Sequence, residues 1–199
     1  MIDHTFPHYF HSEIFPSNKE EMLDAIENAD LMPDQDCSWN DGCLVKFERL
    51  DFKNNFVEVF KPSLDQFFHD IQFGLGCPQL NISGLSLICQ DIWRNTYTKG
   101  FFQETHDHLP CSLSGVVFLT DEQEGDGKFY FYHRHGSEVS KEWIELGFIG
   151  ERKFVKAERG KVILFPSHML HGVSIHKSDN IRKTVSFNLI FNTTNLMPK

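Results

Sequence analysis

The residues with most capacity for chemistry stand close together in Phe101-Phe-Gln-Glu-Thr-His-Asp-His-Leu-Pro110. On an extended chain successive side chains point to opposite faces, so His106 and His108 share one face and Asp107 takes the other. Two imidazoles so placed can bind one metal ion. An arbitrary His-x-His pair is more often two exposed residues at a strand end, so its weight depends on what else the chain offers. A second group lies in Lys161-Val-Ile-Leu-Phe-Pro-Ser-His-Met-Leu-His-Gly-Val173, an apolar strand that ends at Pro-Ser and delivers His168 and His171. Arg182 follows His171 by eleven residues, room for one turn between neighbouring strands. From Arg182 the chain alternates cleanly: Arg182, Thr184, Ser186 and Asn188 on one face, Val185, Phe187, Leu189 and Phe191 on the other. The polar face is either wet or lines a polar cavity inside a barrel. In a cavity, an arginine with a hydroxyl two residues on can grip a carboxylate bidentately.

The elements that must position these groups follow from composition and periodicity. With 199 residues the chain is read as one domain, 1–199, with a sizeable core. Its 20 phenylalanines favour a β-rich interior. A net charge of −9 argues against a nucleic-acid surface and fits a protein or peptide partner or a small-molecule substrate. No apolar run approaches the roughly 20 residues of a membrane helix, and the N-terminus Met-Ile-Asp-His lacks a signal pattern. The cysteines Cys37, Cys43, Cys77, Cys89 and Cys111 are odd in number and never spaced C-x-x-C. Free thiols in a reducing cytoplasm are the expectation.

Residues 1–84 read as a helical support region. A short strand is expected within 6–16, and Ser17-Asn-Lys-Glu20 has the form of a capping box before a helix over about 18–29. Residues 31–50 read as loop with a strand at Leu44–Phe47. Phe56, Phe60, Leu64, Phe67, Phe68 and Ile71 recur at helical spacing as a core stripe, with Pro62 expected to divide the helix or start a second one and Gly74 and Gly76 to stop it. From Leu85 the pattern turns to strands: Leu85–Tyr97, Ser112–Thr120, Lys128–His133, Lys161–Phe165 and Lys183–Asn192. The stretch 134–152 is a polar excursion, helical around 140–146. Many short strands without intervening helices predict an antiparallel sandwich or jelly roll, mainly β within an α+β class.

This set resembles the 2-oxoglutarate- and Fe(II)-dependent oxygenases, in particular their prolyl-4-hydroxylase-like branch. The resemblance rests on Trp93-Arg-Asn-Thr-Tyr-Thr-Lys-Gly100, Gln103-Glu-Thr-His-Asp-His108, Leu113-Ser-Gly-Val-Val-Phe-Leu119, Gly125-Asp-Gly-Lys-Phe129, Gly160-Lys-Val-Ile-Leu-Phe-Pro-Ser167, His171-Gly-Val and Arg182-Lys-Thr-Val-Ser-Phe-Asn188. Order and spacing together carry it, over roughly residues 90–192. It implies a double-stranded β-helix with N-terminal helices on the major sheet, 85–199 forming the core. It implies a facial triad for iron, with His106 as the first ligand and His171 as the distal one. Arg182 would anchor the far carboxylate of 2-oxoglutarate with Thr184 beside it. Tyr97 would lie against the cosubstrate, and Asn95 and Gln103 are weaker candidates. Where the family has an acid two residues after the first His, this chain has His108. The third ligand is then His108, or Asp107 through a bent strand. A sub-branch of the family is similar in carrying His-x-His before Ser-Gly.

The resemblance implies a hydroxylase that decarboxylates 2-oxoglutarate to succinate and CO₂ and oxidises a C–H bond of a prolyl, other peptidyl or small-molecule substrate, with ascorbate as reductant. Two other readings stay open: a three-His cupin-type metal dioxygenase that does not use 2-oxoglutarate, and a metal-free jelly-roll binding module. His133 and His135 are expected at the surface or on the substrate side, and His168 beside the distal ligand. His4, His8, His11, His69 and His176 are expected to be exposed or structural.

Overall fold

In a computed structural model the chain is described over residues 9–33, 43–52, 56–75, 82, 84–147 and 150–193. The strands are β1 (Ser12–Ile14), β2 (Asp30–Leu31), β3 (Cys43–Leu44), β4 (Lys46–Asp51), β5 (Ser86–Tyr97), β6 (Phe102–His106), β7 (Leu113–Phe118), β8 (Phe129–Tyr132), β9 (Arg152–Val155), β10 (Val162–Pro166), β11 (His171–Val173) and β12 (Arg182–Asn192). The helices are α1 (Lys19–Glu27), α2 (Phe56–Gly74) and α3 (Lys141–Glu145). Every strand pairing is antiparallel, in one sheet ordered β1-β10-β7-β12-β5-β4-β2 and another ordered β3-β6-β11-β8-β9. This is the jelly-roll architecture expected. The first half of the chain supplies strands as well as helices: β1 and β4 extend the larger sheet and β3 edges the smaller one.

The alternation along β12 sorts the core. Val185, Phe187 and Leu189 face away from the second sheet and join Met22, Ile26, Phe56, Phe60, Leu64 and Phe67 from the two helices. Phe187 meets Phe56 and Phe60 at ring separations of 5.1 and 4.8 Å. Its ring lies flat over Gly115, where a Cβ would stand 2.2 Å from Phe187 Cζ, so this position takes only glycine. The second cluster, between the sheets, holds Tyr97, Phe118, Phe129, Phe131, Ile163, Phe165 and Val173. The even-numbered residues of β12 face that interior, and Arg182, Thr184 and Asn188 are all buried there. The polar face is therefore not wet.

Three local expectations are corrected. The sequence S-x-x-E at Ser17 makes no capping box: the N-cap is Asn18, with no side-chain cap bond, and its Nδ2 donates to the Val59 carbonyl instead. That bond ties α1 to α2, so a tertiary partner outcompetes the local one. Pro62 neither divides nor starts a helix but sits inside α2. It removes one backbone bond, yet Phe56 and Phe60 before it and Leu64 and Phe67 after it bury on one face, and that shared burial keeps the helix continuous. The strand placed at 44–47 is two strands, β3 and β4, parted at Val45. The short strand, α1, the excursion with α3, and the five later strands lie where the pattern puts them. Gly74 is the last residue of α2, and Gly76 lies outside the described residues. So do Cys37, Cys77, His4 and His8. Among the described residues Cys89 and Cys111 are free thiols, and no helix is long and apolar enough to cross a membrane.

Candidate metal and cosubstrate site

His106 closes β6, and β11 lies beside it with His171 directly opposite. Further along the same pair Val173 faces Gln103, so two residues of β11 span three of β6. The extra residue is a β-bulge. Without it Gln103 and His106, an odd distance apart, would point to opposite faces. With it Gln103 turns inward to accept from the Tyr97 hydroxyl, and His106 turns inward to meet His171. Gly172 between the inward residues of β11 is required by packing, since a Cβ there would stand 2.7 Å from the Tyr130 hydroxyl and 2.9 Å from the Gln103 carbonyl oxygen.

His108 lies past the end of β6, where the chain is no longer strand. Its backbone N–H donates to the Ser167 carbonyl at 2.9 Å, which docks this segment on the end of β10. One nitrogen from each of His106, His108 and His171 falls within 4.8 Å of the others. The ring centroids are 4.4 Å apart for His106 and His171, 4.9 Å for His108 and His171, and 5.0 Å for His106 and His108. Asp107 stays outside this cluster, its carboxylate accepting from the Leu109 N–H at 3.2 Å. The bent-strand alternative for the third group therefore has no support in the geometry.

Burial disfavours the charged form of all three rings. Burial pushes His171 well below its usual range, helped by His106 and His108 and opposed by the Met169 carbonyl. Burial pushes His108 down to about 3, with His106 adding to it and Asp107 opposing. His106 is lowered too, by burial against the pull of Glu104 and Asp107. His171 packs against Phe129 and Phe165 at ring separations of 5.6 and 4.8 Å, which fixes its ring. Its Nδ1 bonds the Met169 carbonyl at 2.9 Å, and His106 Nδ1 bonds the Glu104 carbonyl at 2.7 Å. A carbonyl only accepts, so each Nδ1 carries the proton and each Nε2 keeps its lone pair. This is the arrangement in which an imidazole binds metal through Nε2 with its other nitrogen held.

Arg182 opens β12 opposite Tyr97. It is 2 % exposed, and Nε, Nη1 and Nη2 are all buried without a hydrogen-bond partner. Its Cζ lies 4.7 Å from the Tyr97 ring centroid and 5.8 Å from that of Phe118. Burial lowers its pKa, opposed first by Tyr97 and then by Asp126 and Glu122. The Tyr97 hydroxyl is near enough to help hold the charge, but Tyr97 stacks on the guanidinium and gives its proton to Gln103, so the fork stays unmatched. Asn95 is fully engaged: Nδ2 donates to Thr184 Oγ1 at 3.1 Å and Ser186 Oγ at 2.9 Å, and Oδ1 accepts from Trp93 Nε1 at 3.0 Å. Thr184 and Tyr97 thus flank Arg182, with Asn95 and Gln103 one contact away.

The other described histidines lie apart from the three-imidazole cluster. His133 and His168 stand edge-on to Tyr9 at 5.5 and 5.7 Å, and His135 pairs with Glu138 at 3.2 Å on the surface. His176 is fully buried and structural, accepting from the Gly127 N–H and bonding the Asn180 carbonyl. His11 packs on Phe131 and His69 on Phe73. One group within the motifs was given no role, Asn188, whose amide lies 3.3 Å from His108 Nδ1. The polar alternation of β12 places Asn188 on the right face, but nothing local in sequence links it to a residue 80 positions away.

A jelly roll whose interior gathers three imidazoles and an unmatched guanidinium is a metal-enzyme scaffold of the cupin-like class. Residues 91–188 match a family described as "Putative 2OG-Fe(II) oxygenase". The fold is similar to a prolyl-4-hydroxylase from Pseudomonas putida, with a TM-score of 0.56 and 13% identity over 92% of each chain. It is similar to HygX from Streptomyces hygroscopicus, solved with nickel, 2-oxoglutarate and hygromycin B, with a TM-score of 0.52 and 16% identity over 92% of this chain and 84% of that one. A viral collagen prolyl hydroxylase from Paramecium bursaria chlorella virus 1, solved with 2-oxoglutarate, is similar at a TM-score of 0.53 and 14% identity over 90% and 95% of the two chains. No curated protein matches the sequence. Over residues 91–188 the chain belongs to the 2-oxoglutarate- and Fe(II)-dependent oxygenases.

The residues present fit that pair of cofactors. Three imidazoles, each with a nitrogen within 4.8 Å of the others, suit a divalent first-row metal such as Fe(II). A buried guanidinium with every nitrogen unsatisfied is costly as it stands and is matched by a carboxylate.

Proposed function

We propose that the protein hydroxylates a C–H bond, with His106, His108 and His171 holding Fe(II) and Arg182 and Thr184 receiving the far carboxylate of 2-oxoglutarate. The observation that carries this reading is the buried, unpartnered guanidinium in the interior that also holds the three imidazoles. Iron and 2-oxoglutarate together supply the oxidising chemistry, the cosubstrate leaving as succinate and CO₂. The protein's share is to orient, neutralise and exclude water. His106 and His171 are held by backbone carbonyls, Phe129 and Phe165 pack against the His171 ring, and Tyr97 lies against Arg182 while Asn95 holds Thr184. The substrate in this reading is a prolyl or other peptidyl side chain or a small molecule, and a single domain over 1–199 carries the activity. A reducing, cytoplasmic setting fits the free thiols of Cys89 and Cys111.

The three-His ligand set, with no carboxylate, is the feature that favours a dioxygenase independent of 2-oxoglutarate. Arg182 favours the first reading, since 2-oxoglutarate brings a carboxylate of its own to the buried cation, whereas the second needs one on the substrate. The experiment is succinate release from 2-oxoglutarate with Fe(II) and ascorbate, with a panel of prolyl peptides, paired with calorimetric 2-oxoglutarate binding in the presence of Mn(II). Binding that disappears in Arg182→Ala supports the proposal. Metal binding with no 2-oxoglutarate binding in the wild type rejects it in favour of the second reading.

A further inference from the structure

Two of the three imidazoles are held alike. His106 Nδ1 bonds the carbonyl of Glu104 and His171 Nδ1 that of Met169, in each case the residue two positions before. His108 has no such carbonyl. Its Nδ1 faces the side chain of Asn188 at 3.3 Å. Asn188 in turn meets Ser114 Oγ at 2.8 Å, and Ser114 Oγ meets Ser167 Oγ at 2.8 Å. All three residues are buried, at 6 %, 2 % and 0 % exposure. Register explains the alignment: Asn188 of β12 pairs directly with Ser114 of β7, and the Ser167 carbonyl holds the His108 backbone.

The contacts as they stand run in one direction. Asn188 Nδ2 points at His108 Nδ1, and Asn188 Oδ1 accepts from Ser114 Oγ. With Nδ1 accepting, the proton of a neutral His108 sits on Nε2, where it reaches His171 Nε2 at 3.2 Å. A proton on Nε2 occupies the lone pair that a metal needs. Coordination therefore requires the other tautomer of His108, with Nδ1–H as donor and an acceptor facing it.

We propose that Asn188 is the positioning residue that selects this tautomer, by turning its amide so that Oδ1 accepts from His108 Nδ1–H. The oxygen and nitrogen of an amide are nearly the same size, so the turn needs no repacking. Asn188 Nδ2 then donates to Ser114 Oγ, and the Ser114 hydroxyl turns to donate to Ser167 Oγ. His108, Asn188 and Ser114 each keep a partner while the chain reverses polarity, and the Ser167 hydroxyl changes from donor to acceptor toward Ser114. The proton leaves Nε2 and one is taken up at Nδ1, so the net proton count of His108 is unchanged. A side-chain amide thus does for the third ligand what backbone carbonyls do for the other two, and it can serve both tautomers where a carbonyl serves one.

The inference rests on the three-histidine reading of the site, and the test keeps the two apart. Calorimetry with Mn(II) and Zn(II) alone, without cosubstrate, is run on the wild type, Asn188→Leu and Asn188→Asp, each checked by thermal melting without metal. Leu matches Asn in shape and offers no acceptor, so its metal affinity falls about 10–100-fold. Asp accepts at both oxygens and holds His108 in the metal-binding tautomer, so its affinity equals or exceeds that of the wild type. An Asn188→Asp protein as weak as Asn188→Leu, or an Asn188→Leu protein as tight as wild type, overturns the role of Asn188. A wild type that binds neither metal overturns the three-histidine centre itself. Ring-nitrogen NMR of ¹⁵N-histidine-labelled wild type gives an independent readout. The His108 proton is expected on Nε2 without metal and on Nδ1 with Zn(II). A proton on Nδ1 in both conditions overturns the reversal.

Discussion

Replacing Arg182 with methionine should make the protein lose its cosubstrate while leaving it at least as stable. Most changes at a residue 2 % exposed destabilise, so the sign is diagnostic. Methionine keeps the apolar stem in the second core cluster and removes the charge. What is lost is the guanidinium stacked 4.7 Å from the Tyr97 centroid, about 0.5–2 kcal/mol for a cation–π contact. What is relieved is a desolvated cation whose three nitrogens have no hydrogen-bond partner, a penalty of roughly several kcal/mol for a buried ion. Asp126 and Glu122 offset part of that penalty at a distance. The balance is a methionine variant stabilised by about 0–3 kcal/mol, up to about 10 °C in Tm for a domain of this size.

Cosubstrate binding should move the other way. A buried carboxylate deprived of its only cation costs about 3–5 kcal/mol, a fall in affinity of roughly 10²–10⁴. Thermal melts with Mn(II), with and without 2-oxoglutarate, read both effects. The wild type should gain stability with cosubstrate as mass action requires, and Arg182→Met should start higher and gain nothing. A variant that melts well below wild type would mean that Tyr97, Asp126 and Glu122 already satisfy the guanidinium. The charge would then be architecture, and the case for a carboxylate partner would fail.

The depressed histidines set a pH dependence. In the unfolded chain His11, His106, His108 and His171 protonate near the ordinary 6.5, whereas in the folded protein burial holds all four below it. Below pH 6.5 the unfolded state binds more protons, so stability is complete above that pH and declines as it falls, by at most about 1.4 kcal/mol per pH unit per histidine. Urea melts from pH 7.5 to 5 should show this decline, shallower in His108→Asn, and equal slopes in the two proteins would refute it. Gly172→Ala should destabilise by about 1–3 kcal/mol through overpacking against the Tyr130 hydroxyl and the Gln103 carbonyl. Because the displaced strand carries His171, Mn(II) affinity should fall with it, and unchanged affinity would show that β11 can shift without moving its ligand. Gly115→Ala, which drives a methyl into the Phe187 ring, should destabilise by a similar amount and leave metal affinity alone, since its damage falls on the helix side of the sheet.

The fold was legible because alternation is a strong signal. The apolar set of β12 packs on the helices and the polar set turns inward, and a reader of the sequence obtains both faces at once, Arg182 included. The local misreadings share one cause. Ser17 and Pro62 are judged from neighbours within four residues, but Asn18 bonds Val59 and the helix around Pro62 is held by a sheet. Tertiary contacts override both local rules.

The site was legible in its members and illegible in its wiring. His106, His108, His171 and Arg182 stand out by type and spacing. The bulge that brings Gln103 and His106 to one face exists only in the pairing of β6 with β11. The same holds for Asn188, whose two partners, His108 and Ser114, come from different places in the chain. Sequence period tells which way a side chain points, and strand register decides what it meets there. A metal centre of neutral ligands depends most on the second of these, because without a carboxylate no ligand charge attracts the ion, and affinity rests on how each imidazole is held. Grafting a carboxylate, His108→Asp, is the decisive contrast. It adds charge to the ligand set while discarding the bond to Asn188, so in that background Asn188→Leu should no longer change Mn(II) affinity. A loss as large as in the wild-type background would show that Asn188 acts on the fold and not through His108.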